Sequence, residues 1–201
     1  METPRLENIE QISDGWVKKY MLTYRMPDGR TRPYEMASRK GIEQLRKLFD
    51  DNAAGRAPES PDAVCIVART PRNTLVMERE FRYPLNSWCI AFPAGLVDPG
   101  EDILTCAARE LSEETGYEVR EGAPARALPQ AGYSSTGMTD ETVHVVFVEA
   151  EKAGEAHTEP NELIEVFELS VADIERFLAE NKLPIGTRAQ LILEAVKNDS
   201  R

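Results

Sequence analysis

Three glutamates stand close together in the middle of the chain, Glu110, Glu113 and Glu114, and Gly116 follows them. Carboxylates at positions i and i+4 of a helix destabilise it by about 0.2–0.5 kcal/mol per pair, and the negative end of the helix dipole adds a penalty. A divalent cation would reverse both effects, and oxygen-only carboxylate ligands suit Mg²⁺ or Mn²⁺. The cluster therefore predicts a metal site, and the alternative interpretation is a solvated acidic helix end.

We expect the helix that carries these glutamates to open at residues 101–102, where negative charge suits the dipole, and to end at Gly116. At about 100° per residue, one stripe of this helix consists of Leu104, Ala108, Leu111 and Thr115. The glutamates fall on another face, with Ile103, Cys106 and Ala107. They are therefore expected to extend a mostly apolar face instead of pointing to the obvious solvent side.

The segments around this helix show strand and helix patterns. Apolar and β-branched runs predict strands at 63–69, 73–81, 88–92, 142–150 and 162–170, and a hairpin at 15–38 that turns at Pro27–Gly29. Further helices are expected after Lys40 and near 171–180 and 186–197. Strands mixed with helices predict an α+β fold, in which a mixed β-sheet is covered by helices.

A segment rich in Ala, Gly and Pro, at about 53–62, predicts a linker. We expect it to separate an N-terminal antiparallel β module, residues 1–55, from a main domain, residues 56–201.

The composition limits the class of protein. The formal net charge of −11 argues against a nucleic-acid-binding surface, but it does not exclude an anionic substrate, because local arginines or a bound cation reverse the sign inside a cleft. The three cysteines share no metal-like spacing and are expected to be reduced and buried. No apolar run reaches membrane-spanning length, and the first residues lack a signal-peptide apolar region, so a cytoplasmic location is expected.

The stretch GLVDPGEDILTCAARELSEETGY, Gly95 to Tyr117, resembles the Nudix box, G-x5-E-x7-R-E-U-x-E-E-x-G-U, in which U is an apolar residue. Every fixed position is matched, by Gly95, Glu101, Arg109, Glu110, Glu113, Glu114 and Gly116. Tyr117 at the last apolar position is a mild departure. The resemblance implies the Nudix fold, an α/β/α sandwich, and the metal-dependent hydrolysis of a nucleoside diphosphate linked to another group.

The resemblance also implies roles for individual residues. The implied ligands of Mg²⁺, or of Mn²⁺, are the carbonyl of Ala94 and the carboxylates of Glu101, Glu110 and Glu114. Arg109 would orient the glutamates, and Glu113 stands beside them in the catalytic set. A general base is expected in the loop after the box, at Glu162, with Glu159 as the alternative.

Two longer stretches, REFRYPLNSWCIAFPAGLVDPGE and DGWVKKYMLTYRMPDGRTRPYEMASRK, are similar to ADP-ribose pyrophosphatases of this family. In that group, aromatic residues from two subunits sandwich the adenine, and N-terminal strands exchange across a homodimer. The resemblance implies that Trp16 and Tyr34 stack on the base, that Arg82 contacts the pyrophosphate and that Arg39 is a second candidate for that contact. The alternative is that both aromatic residues are ordinary strand residues packing on the core.

ADP-ribose, cleaved to AMP and ribose 5-phosphate, is the substrate that this resemblance implies. Two departures weaken it, because the group usually has Glu where this chain has Ala91 and Pro where it has Thr136. Another ADP-sugar or GDP-mannose therefore stays open as substrate. A ligand sensor without turnover and a plain acidic interaction domain are disfavoured by the intact box.

Overall fold

The structure is a computed structural model that describes residues 2–56 and 60–199. The chain divides into two compact units, one of residues 1–62 and 130–143 and one of residues 63–129 and 144–201. Residues 57–59 of the expected linker lie outside the described residues, and the expected boundary between residues 55 and 56 stays a prediction.

The first unit contains an antiparallel sheet of three strands in the order β1 (Arg5–Gln11), β2 (Lys18–Arg25) and β3 (Thr31–Ser38). The predicted hairpin joins β2 to β3, and its turn is closed by a 2.8 Å hydrogen bond from the amide of Met26 to the carbonyl of Arg30. Gly29 takes a positive φ of 82°, which glycine adopts without strain. Trp16 precedes β2 instead of lying in a strand, so the predicted extent of this strand was wrong at its start.

Helix α1 (Ile42–Ala53) belongs to the same unit and buries Leu45 and Leu48. The first unit also has a short strand β10 (Gly132–Tyr133), whose partners are Thr142 and Val143. Its apolar core consists of Ile9, Tyr20, Leu22, Met36 and Leu45.

A charged network ties residues 140–142 to the rest of the first unit. Lys40 forms ion pairs with Asp62 and, at 3.0 Å, with Asp140. Asp62 also accepts hydrogen bonds from the amide and the hydroxyl of Thr142, at 2.8 and 2.9 Å. Burial raises the pKa of Asp62, but the hydrogen bonds from Lys40 and Thr142 outweigh it and hold this pKa below its ordinary value.

The main strands of the second unit are β4 (Ala63–Arg69), β5 (Thr74–Arg82), β11 (Thr142–Lys152) and β12 (Ile164–Ser170). They lie in one sheet in the order β11, β4, β5, β12. Shorter strands pair at their edges: β6 (Ser87–Ala91) with β5, β7 (Ala94–Leu96) with β4, and β8 (Tyr117–Val119) and β9 (Arg126–Ala127) with β11. Six of the seven residues of β4 are buried, as expected for a central strand covered on both faces.

Helix α2 (Ile103–Thr115) carries the glutamate cluster and packs against β4, β7 and β8. It begins after Asp102, whose carboxylate accepts hydrogen bonds from the amides of Leu104 and Thr105, at 2.9 and 3.3 Å. It ends at Gly116, as predicted, with a positive φ of 66°.

The buried line of α2 draws on two of the faces that the helix wheel separates. Leu104 lies off this line and is 40% exposed. That line consists of Cys106, Ala107, Leu111, Glu114 and Thr115. The core of the second unit joins part of it to the sheet, through Val64, Ile66, Ala68, Val76, Cys106, Ala107, Leu111, Tyr117, Val146, Val148 and Ala150.

Two helices lie near the C-terminus of the second unit, α3 (Ile174–Glu180) and α4 (Thr187–Asp199), and they pack against each other. A short 3₁₀ turn, Val171–Asp173, precedes α3. All three cysteines are buried and free, as expected. In the part of the chain that the structure describes, each helix is too short or too polar to cross a bilayer.

Candidate active site

The amino-terminal residues of β7 lie against the carboxyl-terminal half of α2. The amide of Ala94 donates a 3.0 Å hydrogen bond to Oε2 of Glu114. Gly95 faces Glu110 so closely that a Cβ built on the glycine would lie 1.9 Å from Cδ of that glutamate. Residue 95 therefore has to be glycine, because the Glu110 carboxylate occupies the space that a side chain would fill.

Arg109 connects the carboxylates on the outer side of this site. Its guanidinium donates to both oxygens of Glu101, at 2.9 and 3.0 Å, and to Oε1 of Glu110 at 2.8 Å. A further bond of 3.2 Å reaches Glu113, whose side chain is half exposed. The hydrogen bonds from Arg109 lower the pKa of Glu101 to about 2, so this carboxylate stays ionised near neutral pH. The arrangement fits the orienting role that the resemblance implies for Arg109.

Two glutamates lie deeper. Glu114 is 6% exposed, and Glu78, on β5, is 1% exposed. Burial raises the pKa of both side chains, and the proximity of further carboxylates raises them more. The pKa of Glu110 is also raised, and burial is the largest cause. Because several carboxylates disfavour one another here, the site would be stabilised by added positive charge.

The donor chemistry of this site suits a divalent metal ion, although the side chains do not yet form a ligand set. Within residues 2–56 and 60–199, no three His, Cys, Asp or Glu side chains are arranged to hold a metal. Oε1 of Glu110 is engaged by Arg109, and Oε2 of Glu114 by the amide of Ala94. Oε1 of Glu78 is buried and has no hydrogen-bond partner among the described residues. Binding would therefore require rotation of glutamate side chains towards the ion.

The structure brings two other predicted residues near this cluster. The charge of Glu162 contributes to the raised pKa values of Glu78 and Glu110, and the charge of Arg82 opposes the effect at Glu78. Arg82 itself pairs with Glu80 at 2.8 Å. Two backbone amides hold the loop of the predicted base. The amide of Glu162 donates to the carbonyl of Glu159, and the amide of Glu159 donates to the carboxylate of Glu162, both at 2.9 Å.

The remaining predicted residues lie in the first unit. Trp16 is 74% exposed and does not pack on the core. This contradicts the alternative that Trp16 is an ordinary strand residue packing on the core. The hydroxyl of Tyr34 donates a 2.8 Å hydrogen bond to the carbonyl of Gly137, and Arg39 pairs with Glu141 at 2.9 Å. Tyr34 and Thr136 line a cavity of about 490 Å³ in this unit. Trp16 is not one of the described residues that line it.

Glu78 is the residue that the sequence reasoning missed. Its signal is weak, since it follows the apolar residues Leu75, Val76 and Met77 and reads as the polar end of a strand. Its burial becomes evident only in the structure, where it is the last of four consecutive buried residues of β5.

Comparison with known proteins identifies the class. Residues 59–188 match the family model described as NUDIX domain, and the chain therefore belongs to the Nudix family. It is 34% identical over 181 residues to a mouse protein named ADP-sugar pyrophosphatase, covering 82% of this chain and 72% of the relative. It is 36% identical over 115 residues to the ADP-ribose pyrophosphatase of Bacillus subtilis, covering 56% and 60%.

The fold has a solved counterpart, a crystal structure of an ADP compounds hydrolase, with a TM-score of 0.72 and 20% identity over 100% of this chain and 98% of the other. The predicted α+β class is confirmed, with a mixed sheet, helices and a small N-terminal antiparallel sheet. The chain is a Nudix pyrophosphatase, a hydrolase acting on phosphoric anhydrides. Members of this family generally need a divalent metal ion.

Proposed function

We propose that this protein hydrolyses the pyrophosphate bond of ADP-ribose and releases AMP and ribose 5-phosphate. The observation that carries the proposal is the set of box carboxylates around β7, with Glu110 against Gly95 and Glu114 bonded to the amide of Ala94. The names of the relatives, ADP-sugar pyrophosphatase and ADP-ribose pyrophosphatase, support the choice of substrate.

We assign the metal, Mg²⁺ with Mn²⁺ as a substitute, to the carboxylates of Glu110 and Glu114, the carbonyl of Ala94 and the supporting Glu101. When bound, the ion supplies positive charge against the diphosphate and makes a water more acidic. Arg109 holds Glu110 and Glu101 in place through its hydrogen bonds. Glu113, which accepts a hydrogen bond from the same arginine, completes the acidic face that the substrate would meet.

Glu162 is the proposed general base, and Glu159 is the alternative. A base must reach the attacking water within hydrogen-bond distance. In the proposal, the Glu162 carboxylate leaves the amide of Glu159, to which it is now bonded, and accepts the water proton. This movement is confined to the loop before β12.

We further propose that the protein acts as a homodimer with exchanged N-terminal strands and that Trp16 and Tyr34, from two subunits, hold the adenine. Trp16 is 74% exposed, which leaves its aromatic face accessible to a flat base. Arg82 would contact the pyrophosphate, and Arg39 is the second candidate for this contact. The expected cytoplasmic location stays a prediction.

A second candidate substrate is another nucleoside diphosphate sugar, such as a different ADP-sugar or GDP-mannose. It is favoured by Ala91 and Thr136, the two positions at which the chain departs from the ADP-ribose pyrophosphatases. Thr136 lines the same cavity as Tyr34, so a change of residue there alters the shape offered to a ligand. A ligand sensor without turnover is disfavoured by the intact box.

A substrate panel tests the proposal. ADP-ribose, ADP-glucose, GDP-mannose and UDP-glucose would each be incubated with the protein and Mg²⁺, and the released nucleoside monophosphate measured by chromatography. We expect the highest kcat/KM with ADP-ribose and near-complete loss of turnover in the Glu114→Gln variant, with an unchanged circular dichroism spectrum. A folded protein that cleaves none of the four compounds, or a variant that keeps full turnover, would contradict the proposal.

A further inference from the structure

Glu78 faces α2 although it lies on a strand in the middle of the sheet. Side chains two residues apart on a strand point to the same face, so Glu78 shares its face with Val76. Val76 belongs to the apolar cluster that includes Leu111 of α2. Val166, the β12 residue opposite Glu78, packs against the same cluster. The Glu78 carboxylate is therefore directed towards the helix that carries the box glutamates.

The opposite neighbour of Glu78 leaves space for the carboxylate. On β6, the residue in register with Glu78 is Ala91, which is followed by the loop that leads to Ala94 and Gly95. Residues directly opposite on antiparallel strands have Cβ atoms about 4.5–5.5 Å apart, so a small residue at position 91 opens room beside Glu78. This strand pairing places Glu78 next to the β6–β7 connection, where Ala94 bonds to Glu114.

One oxygen of the Glu78 carboxylate has no hydrogen-bond partner among the described residues. The side chain is 1% exposed, and its Oε1 has no hydrogen-bond partner within residues 2–56 and 60–199. Buried polar atoms in native proteins are almost always paired, and an unpaired one points to a missing ion or water. Arg82, whose charge acts on Glu78, is paired with Glu80 at 2.8 Å. Oε1 of Glu78 is therefore a buried acceptor that no donor among the described residues reaches.

We propose that Glu78 is a further ligand of the divalent cation, directly or through one water, beside Glu110 and Glu114. The proposal rests on the metal dependence in the proposed function and adds a ligand from outside the box. Glu78 would supply a carboxylate from the sheet, while Glu110 and Glu114 supply carboxylates from the helix, so that ligands approach the ion from two sides. The proposal also explains how an unpaired buried acid is tolerated, because the ion is its partner.

Metal binding without substrate tests this inference. Binding of Mn²⁺ to the purified full chain would be followed by the electron paramagnetic resonance signal of the free ion. We expect Glu78→Gln to weaken Mn²⁺ binding by at least tenfold, in the range found when groups that orient or complete a metal site are removed. The matched control is Glu165→Gln, which removes an exposed carboxylate from the neighbouring position on β12, and it is expected to leave binding within twofold.

Thermal unfolding in the absence of metal separates this role from a structural one. We expect Glu78→Gln and Glu78→Met to unfold at or above the wild-type temperature without metal, and to gain less from added Mn²⁺ than the wild type does. If either folded variant binds Mn²⁺ within twofold of the wild type, the inference is overturned while the proposed function stands. If the wild type itself binds no Mn²⁺, the metal site and the inference both fail.

Discussion

Replacing Gly95 by alanine should disable the active site while leaving the fold intact. A Cβ at this residue would lie 1.9 Å from Cδ of Glu110 and 2.1 and 2.3 Å from its two carboxylate oxygens. Ordinary contacts begin at 3.4 Å, so the carboxylate has to move by about 1.5 Å. The backbone of Gly95 does not take a positive φ, so alanine fits its conformation. The strain therefore falls on the flexible end of the Glu110 side chain.

The expected cost follows from that displacement. A misplacement of about 1 Å in a catalytic group costs roughly 100-fold in rate, which corresponds to about 2.7 kcal/mol of transition-state stabilisation. We therefore expect the kcat/KM of Gly95→Ala for ADP-ribose to fall by about 100-fold. The free energy of unfolding should change by less than about 1 kcal/mol, because no buried packing is lost.

The assay is AMP release from ADP-ribose with Mg²⁺, with thermal unfolding of each variant measured in parallel. Gly154→Ala is the control, since a Cβ there meets nothing within 4 Å and the residue has no positive φ, and it should keep wild-type activity. Retention of more than about a third of the activity by Gly95→Ala would refute the placement of Glu110 against the strand. A large loss of stability would refute the argument that only a side chain has to move.

Three further predictions concern the helix end, the charged network and the base site. Gly116→Ala should lower the unfolding temperature by the equivalent of about 1–3 kcal/mol, because φ is 66° and the new Cβ would lie 2.4 Å from the carbonyl oxygen of Gly154. Asp62→Asn should lose about 1–3 kcal/mol at pH 7 in chemical denaturation. Because the folded pKa of Asp62 is depressed, this difference should shrink as the pH falls below the ordinary pKa of 3.8, and a pH-independent difference would contradict it. Trp16→Ala should raise KM for ADP-ribose several-fold with little change in kcat, and an unchanged KM would remove Trp16 from the base site.

Elements with a strong local signal could be predicted from the sequence. The apolar run of β4, the Pro27–Gly29 turn and the glycine that ends α2 each specify structure within a few residues. Strand β1 could not, because its sequence RLENIEQ is mostly polar and buries only Ile9. The strands of two or three residues between 117 and 133 also escaped, since such short segments are strands only through pairing with β11.

The same distinction applies to the site. The box glutamates and Arg109 come from one helix and the turn before it, so their spacing alone indicates that they act together. Glu78 comes from a strand 32 positions before Glu110 and reaches the site through the register of β5 with β6, which no local pattern reveals. The exposure of Leu104 could not be predicted for a related reason, because the line of contact with the sheet, and not the helix wheel, decides which face is buried.

The most direct test of this account is the position of a metal ion in the crystal. Crystals grown with Mn²⁺ and a non-hydrolysable ADP-ribose analogue would be measured at a wavelength at which manganese scatters anomalously. We predict an anomalous peak within about 2.5 Å of carboxylate oxygens of Glu110 and Glu114, with the diphosphate bound to the same ion. A bound analogue with no peak at these glutamates, or glutamates that point into solvent, would contradict it.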